Sequence, residues 1–245
     1  MKKLVLTAVC VLALSGAALA QGYIQWELPT TGVSFQTNTA VSPLFGGTGT
    51  GGVSGATANV AGGFDFVLLT QAFSGSQSTD TTVWDGSWSA LTAYSGGLLS
   101  ATNGTGPSGF GKANATIGAD ANQQVTWANG TTQNVVVVGW STDLGSSWVS
   151  VSNILAALSV GNTAPLLAAD PSGAAAYFGE TTIGFINPGA AVGLPLTAGT
   201  AQQSYGNAIF SLNTQLYLLP VPEPATMALA GLGGLGLLLF RRRRQ

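Results

Sequence analysis

The chain has 245 residues, of which 46% are hydrophobic and only 7% charged, with 35 glycines, no histidine and one cysteine, Cys10. Soluble cytosolic domains carry about a quarter charged residues, so an ordinary cytosolic protein is excluded. Histidine-based zinc and copper sites and the common acyl-transfer triads are excluded with it. Between residues 21 and 221 there are eight acids and one base, Lys112, a net charge of −7, which argues against nucleic acid, whose phosphates need lysine and arginine to displace their counterions.

At the start, Lys2 and Lys3 precede an apolar run from Leu4 to Leu14 and the small-residue stretch Ser15-Gly16-Ala17-Ala18-Leu19-Ala20. This is the pattern of a secretory signal peptide over residues 1–20, with Ala18 and Ala20 setting cleavage before Gln21. The apolar run falls short of the ~20 residues a membrane span needs. Cys10 leaves with the leader, so the mature chain has no thiol for a disulfide or a nucleophile.

From Gln21 onward the expected elements are short strands separated by turn clusters. Gly22–Leu28 and Val33–Gln36 are brief candidates. Residues 46–63 hold eight glycines in eighteen positions, which reads as a loop in preference to a strand pair making close backbone approaches. Phe64–Phe73 is stronger, with Phe64, Phe66 and Leu68 on one face by the two-residue period. Thr81–Trp84, Gln124–Trp127 and the valine-rich Asn134–Ser141 follow, the last expected at the centre of a sheet. One stretch changes period: Trp148, Val151, Leu155 and Leu158 recur at helical spacing, with Ser146 or Ser147 as N-cap and Gly161 as the stop. Thr181–Ile186 and Ala208–Leu219 complete the set. Three Asn-x-Thr sequons, at Asn103, Asn114 and Asn129, read as polar turns.

The chemistry on offer is thin. A pair of carboxylates for glycosidic hydrolysis would have to come from Asp80, Asp85, Asp143 and Glu180, and no spacing along the chain picks a pair. The stretch from Ser78 to Gly86 has two aspartates but lacks the alternating acidic pattern of a calcium loop, so no metal and no cofactor is expected. Trp84, Trp88 and Tyr94 lie in a loop-rich stretch. If exposed in a row, their flat rings are candidate saccharide contacts; the competing and favoured expectation places these tryptophans in the core.

The C-terminus reads Val221-Pro222-Glu223-Pro224, an apolar segment from Ala225 to Phe240, then Arg241, Arg242, Arg243 and Arg244. As a helix, 225–240 rises ~24 Å, which snorkelling arginines and local thinning extend to a membrane span. By the positive-inside rule the arginines stay cytoplasmic, as a stop-transfer signal, and residues 21–221 lie outside. The order Pro-Glu-Pro, short Gly/Leu-rich apolar helix, arginine cluster resembles the PEP-CTERM sorting signal of Gram-negative bacteria, over Pro222 to Arg244. That resemblance implies an exosortase, a membrane protease that cuts at or near Pro222-Glu223-Pro224 and passes the ectodomain to the cell surface. The prolines supply a physical reason: they keep the membrane helix from propagating upstream and favour extended backbone. More loosely, the order of a Gly139-Trp140 strand, a helix, Tyr177-Phe178-Gly179-Glu180 and a last strand resembles other ectodomains with this tail.

The sequence therefore divides into a leader (1–20), an ectodomain (21–221) and a sorting signal (222–245). The ectodomain is expected to be an all-β sandwich or jelly-roll-like fold with one short α-helix. Its expected role is structural or adhesive, at the surface or in a biofilm matrix. The alternative is an exopolysaccharide-binding module, and a glycoside hydrolase ranks third.

Overall fold

The computed structural model describes residues 21–25, 35–50, 52–56, 63–92, 98, 100–103, 113–114, 122–128, 130–171, 175–187, 194–195 and 214–220. The leader, the tail from Val221 onward, Tyr94 and Asn129 lie outside the described residues.

In chain order the strands are β1 (Gln21–Gln25), β2 (Phe35–Val41), β3 (Val53–Ala56), β4 (Phe64–Ala72), β5 (Ser89–Ala90), β6 (Ser100–Asn103), β7 (Ala113–Asn114), β8 (Asn122–Ala128) and β9 (Gln133–Ser141). Two helices follow, α1 (Trp148–Ser159) and α2 (Ala164–Ala169), then β10 (Tyr177–Glu180), β11 (Gly184–Ile186), β12 (Leu194–Pro195) and β13 (Thr214–Leu218). The described residues are thus mainly β, as expected for an all-β chain.

The molecule is organised on β9. Its sequence QNVVVVGWS is buried from Asn134 to Ser141, and it pairs with β4 in unbroken antiparallel register from Phe64↔Ser141 to Ala72↔Gln133. Four successive β-branched residues suit a strand covered on both faces. The large sheet runs β3-β2-β13-β10-β9-β4-β6-β7, with β11 beside β9 and β5 beside β4. A smaller sheet, β12-β1-β8, contributes Ile24 and Val125 to one face of the large one, against Phe35, Phe66, Leu68, Val135, Val137 and Leu216. The opposite face of β9 carries Val136, Val138 and Trp140, and is covered by α1, α2 and the turns around Val83 and Trp88. Two strand pairs are parallel, β1 with β12 and β2 with β13, a departure from the antiparallel Greek keys of a jelly roll.

The centre of the large sheet depends on two cross-strand partners, Gly139 and Gly179. A Cβ at Gly139 would stand 2.6 Å from the ring of Phe66, and one at Gly179 would collide with the backbone oxygen of Gln215. The missing side chains leave room for Phe66, tilted against Phe35 with ring centroids 4.3 Å apart, and for the buried Leu216.

Helix α1 forms where its spacing placed it. The Ser147 hydroxyl accepts from the Ser150 N–H, and Trp148, Val151, Ile154, Leu155 and Leu158 form the buried stripe. It stops in a Schellman arrangement, with Gly161 at φ +79 donating to Leu158 and Asn162 donating to Ala157. The indole N–H of Trp140 reaches the Gly145 carbonyl at 2.7 Å, and its ring lies 5.9 Å from that of Trp148.

Several expectations need correction. A second helix, α2, follows the first; Asn162, just before its N-cap Thr163, accepts from the Ala164 N–H. Thr81–Trp84 is a turn, because Asp80 accepts from the Thr82 N–H and Thr82 from the Asp85 N–H. The expected strand Thr181–Ile186 shrinks to β11, Gly184–Ile186: the pairing moves from Glu180↔Val138 to Gly184↔Val135, so three residues face two and the segment bulges. Thr181 spans the break, its N–H donating to Val137 and its hydroxyl accepting from the Val137 N–H at 3.0 Å. The glycine-rich stretch contains β3, and a Cβ at Gly52 would lie 2.5 Å from Thr39 Oγ1, so close backbone approach displaces the loop reading there. Asn103 and Asn114 lie in the paired strands β6 and β7 instead of in turns.

Candidate functional site

On the helix-covered face, the two-residue alternation continues past the apolar core into polar side chains. Val67, Leu69 and then Gln71 share a face on β4; Val138, Val136 and then Asn134 share one on β9; Phe178 is followed by Glu180 on β10. The segment from Gln77 to Ser87 folds over this end of the sheet. The Asn134 side chain accepts from the Ser78 N–H at 3.1 Å and donates to the Ala72 carbonyl at 3.1 Å, while Gln77 donates to the Ile183 carbonyl at 2.6 Å.

Asp80 is the hub. One carboxylate oxygen accepts from the Thr82 N–H at 2.9 Å, the other from the Ser87 hydroxyl at 2.9 Å and from Gln71 at 3.5 Å. The backbone hydrogen bond from Thr82 leads in holding the Asp80 carboxyl below the usual range. Glu180 goes the other way: burial, then the negative charge of Asp80, pushes its carboxyl up to about 8. Its Oε2 is buried and has no hydrogen-bond partner. At neutral pH one carboxyl of this pair keeps its proton while the other is ionised.

Of the four acids read as glycosidase candidates, Asp80 and Glu180 are near enough for the charge of Asp80 to raise the proton affinity of Glu180. Asp85 closes its own exposed turn, accepting from the Ser87 N–H at 2.7 Å. Asp143 is exposed in the 3-10 turn that follows β9. That is the opposite end of the strand from Asn134, about 25 Å away at the rise of a strand. Divergent proton affinities are what acid–base catalysis requires; an acid must also reach its substrate, and Glu180 is partly exposed with its Oε2 buried.

The aromatic row does not form. Trp88 is 4% exposed, and its indole N–H donates inward to the Asp80 carbonyl at 3.3 Å. Trp84 is half-buried, stacked on Phe45 at 5.0 Å and edge-on to Phe178 at 6.2 Å. Tyr94 lies outside the described residues, as do Ala18, Ala20, Pro222, Glu223, Pro224 and Arg241 to Arg244. Trp88 is thus a core residue, the favoured of its two readings, and it anchors the Asp80 turn.

Sequence reasoning passed over Gln71, Ser87 and Asn134, whose polar side chains hold this turn. The available signal was the position of Gln71 and Asn134 on the face that otherwise reads Val, Leu, Val and Val. Among the described residues no three acids converge as metal ligands, and no helix is long and apolar enough to cross a membrane.

No curated protein and no solved structure matches the chain. The segment that follows the last strand does match a family model: residues 220–244 are a PEP-CTERM protein-sorting motif.

Proposed function

We propose that this chain is an exported cell-surface or biofilm-matrix protein, with a structural or adhesive ectodomain that performs no catalysis. The sorting motif at residues 220–244 carries the reading, since it marks an exported protein processed by an exosortase. On this reading residues 225–240 anchor the precursor in the inner membrane, Arg241 to Arg244 stop its transfer, and the domain passes to the surface after the cut.

The ectodomain supports a passive role by what it does with its polar groups. Asp80, Gln71, Ser87 and Asn134 spend their hydrogen bonds on one another and on local backbone. The exopolysaccharide-binding alternative now rests on Trp84 with Phe45, a stacked and partly exposed pair. A glycoside hydrolase stays third, since Glu180, whose proton affinity is raised toward that of a general acid, has its Oε2 buried.

The test is fractionation of cells making the wild type or a chain with Arg241 to Arg244 replaced by glutamine. The wild type should appear in surface and matrix fractions, with the variant poorly retained in the inner membrane before processing. Identical fractionation of the two would sink the stop-transfer reading. Co-sedimentation of the purified ectodomain with the producer's exopolysaccharide, compared with Trp84→Ala, separates the alternatives: Trp84-dependent binding favours the saccharide module.

A further inference from the structure

The last strand of the domain sits inside the sheet and ends almost at the sorting motif. β13 lies between β2 on one side, in parallel pairing from Thr214↔Phe35 to Leu218↔Val41, and β10 on the other, through Tyr177↔Leu218 and Phe178↔Tyr217. Its end is tied on both flanks: the Leu218 carbonyl accepts from the Ser42 N–H at 2.9 Å, and the Leu219 N–H donates to the Ala176 carbonyl at 2.9 Å. The side chains of Leu216 and Leu219 are 0% and 3% exposed. Leu219 stands three positions before Pro222, a reach of at most ~10 Å.

A protease holds its substrate as an extended strand, through main-chain hydrogen bonds on both sides of the bond it cuts. Only Pro220 and Val221 separate Pro222 from Leu218 and Leu219, whose main-chain groups are already committed to the sheet. Proline 220 has no N–H to offer in any case. For an enzyme to engage more than this short stub, the end of β13 must leave the sheet, and cleavage of folded proteins proceeds through such local openings.

We propose that docking of β13 restrains the cut at the sorting motif, so that the tail is removed quickly from a chain whose last strand is undocked and slowly from the folded domain. This rests on the reading of residues 220–244 as an exosortase substrate. The device is built from the fold: the strand that completes the sheet is also the handle next to the processing site. Its consequence is that the order of folding and processing is set by the sheet, and that the released domain keeps β13 whole.

The test uses the full-length precursor in its producing cell. An eight-residue Gly/Ser spacer is inserted between Pro220 and Val221, which leaves the distance from Pro222 to the membrane segment unchanged. Tail loss is followed by pulse-chase with intact mass. The spacer should speed it roughly tenfold, as expected when a local opening step is bypassed, and the released domain should melt where the native one does. Leu219→Ala, which loosens the anchor without opening the centre of the core, should speed it by a smaller factor. A rate unchanged or slowed by the spacer, in a domain with native melting, overturns the proposal. Pro222-Glu223-Pro224 replaced by alanines, with and without the spacer, tests the underlying reading separately: tail loss that persists in both would remove the sorting reading and this proposal with it.

Discussion

The tail and the ectodomain store their information differently. On the proposed reading each feature of the tail would act along the chain: two prolines opposing helix, an apolar stretch partitioning into lipid, and arginines kept on the cytoplasmic side. In the ectodomain the chemistry comes from distant parts brought together, Asp80 from a turn and Glu180 from β10, a hundred positions apart. A linear signal is readable without a fold, and a tertiary one is not. Changes in the ectodomain away from β13 should therefore move stability and leave sorting alone, and changes in the tail should do the reverse.

The largest effect should come from Trp148→Ala. This residue starts α1 and packs on Trp140 and Phe178, with ring centroids 5.9 and 6.4 Å away. Its loss should cost about 3–5 kcal/mol, read by denaturant unfolding of the purified ectodomain, while the mass of the processed product stays the same. A shifted cut site would break the separation of the two regions.

The pH dependence follows from Glu180. Folded, it keeps its proton up to about 8, whereas its ordinary value is 4.5. Between those limits the folded state binds more protons than the unfolded one, so its contribution is fully present below pH 4.5 and is lost as pH rises through 8. Glu180→Gln should flatten that decline and stabilise the domain at pH 8 by roughly 2–4 kcal/mol. Asp65, raised by burial, adds a decline of the same sign that the variant leaves in place. Asp80 works oppositely, its contribution being lost as pH falls through its lowered value. A melting temperature that rises from pH 5 to 8 would contradict the assignment of Glu180.

Gly179→Ala should cost about 1–3 kcal/mol by overpacking, because its Cβ must push the backbone of β13 at Gln215. It sharpens the comparison, since this is one ectodomain change that should also quicken tail removal. Ser147→Ala removes the N-cap of α1 and should cost only ~1 kcal/mol, with no effect on processing.

How much the sequence showed follows the same division. Helix α1 was legible because spacing, cap and stop all lie within sixteen residues, Ser146 to Gly161, and β4 and β9 were legible because their apolar runs are long. Helix α2 was missed because six residues with a proline near the start carry little periodicity. Thr81–Trp84 imitated a strand in composition, while the Asp80 side chain, bonding to backbone two residues on, turned the chain. Trp88 was expected in the core, but only the fold shows its indole N–H donating to the Asp80 carbonyl. The pairing of Asp80 with Glu180 had no local trace at all.

The central claim is that residues 220–244 are an address removed from a self-contained domain. Intact mass of the mature protein from native membranes and medium tests it most directly, in parallel with a chain carrying alanines at Pro222, Glu223 and Pro224. The account expects the wild type to begin at Gln21 and end near Pro222, and the variant to keep Arg241 to Arg244. A full C-terminus on both would make the tail a permanent part of the protein and contradict it.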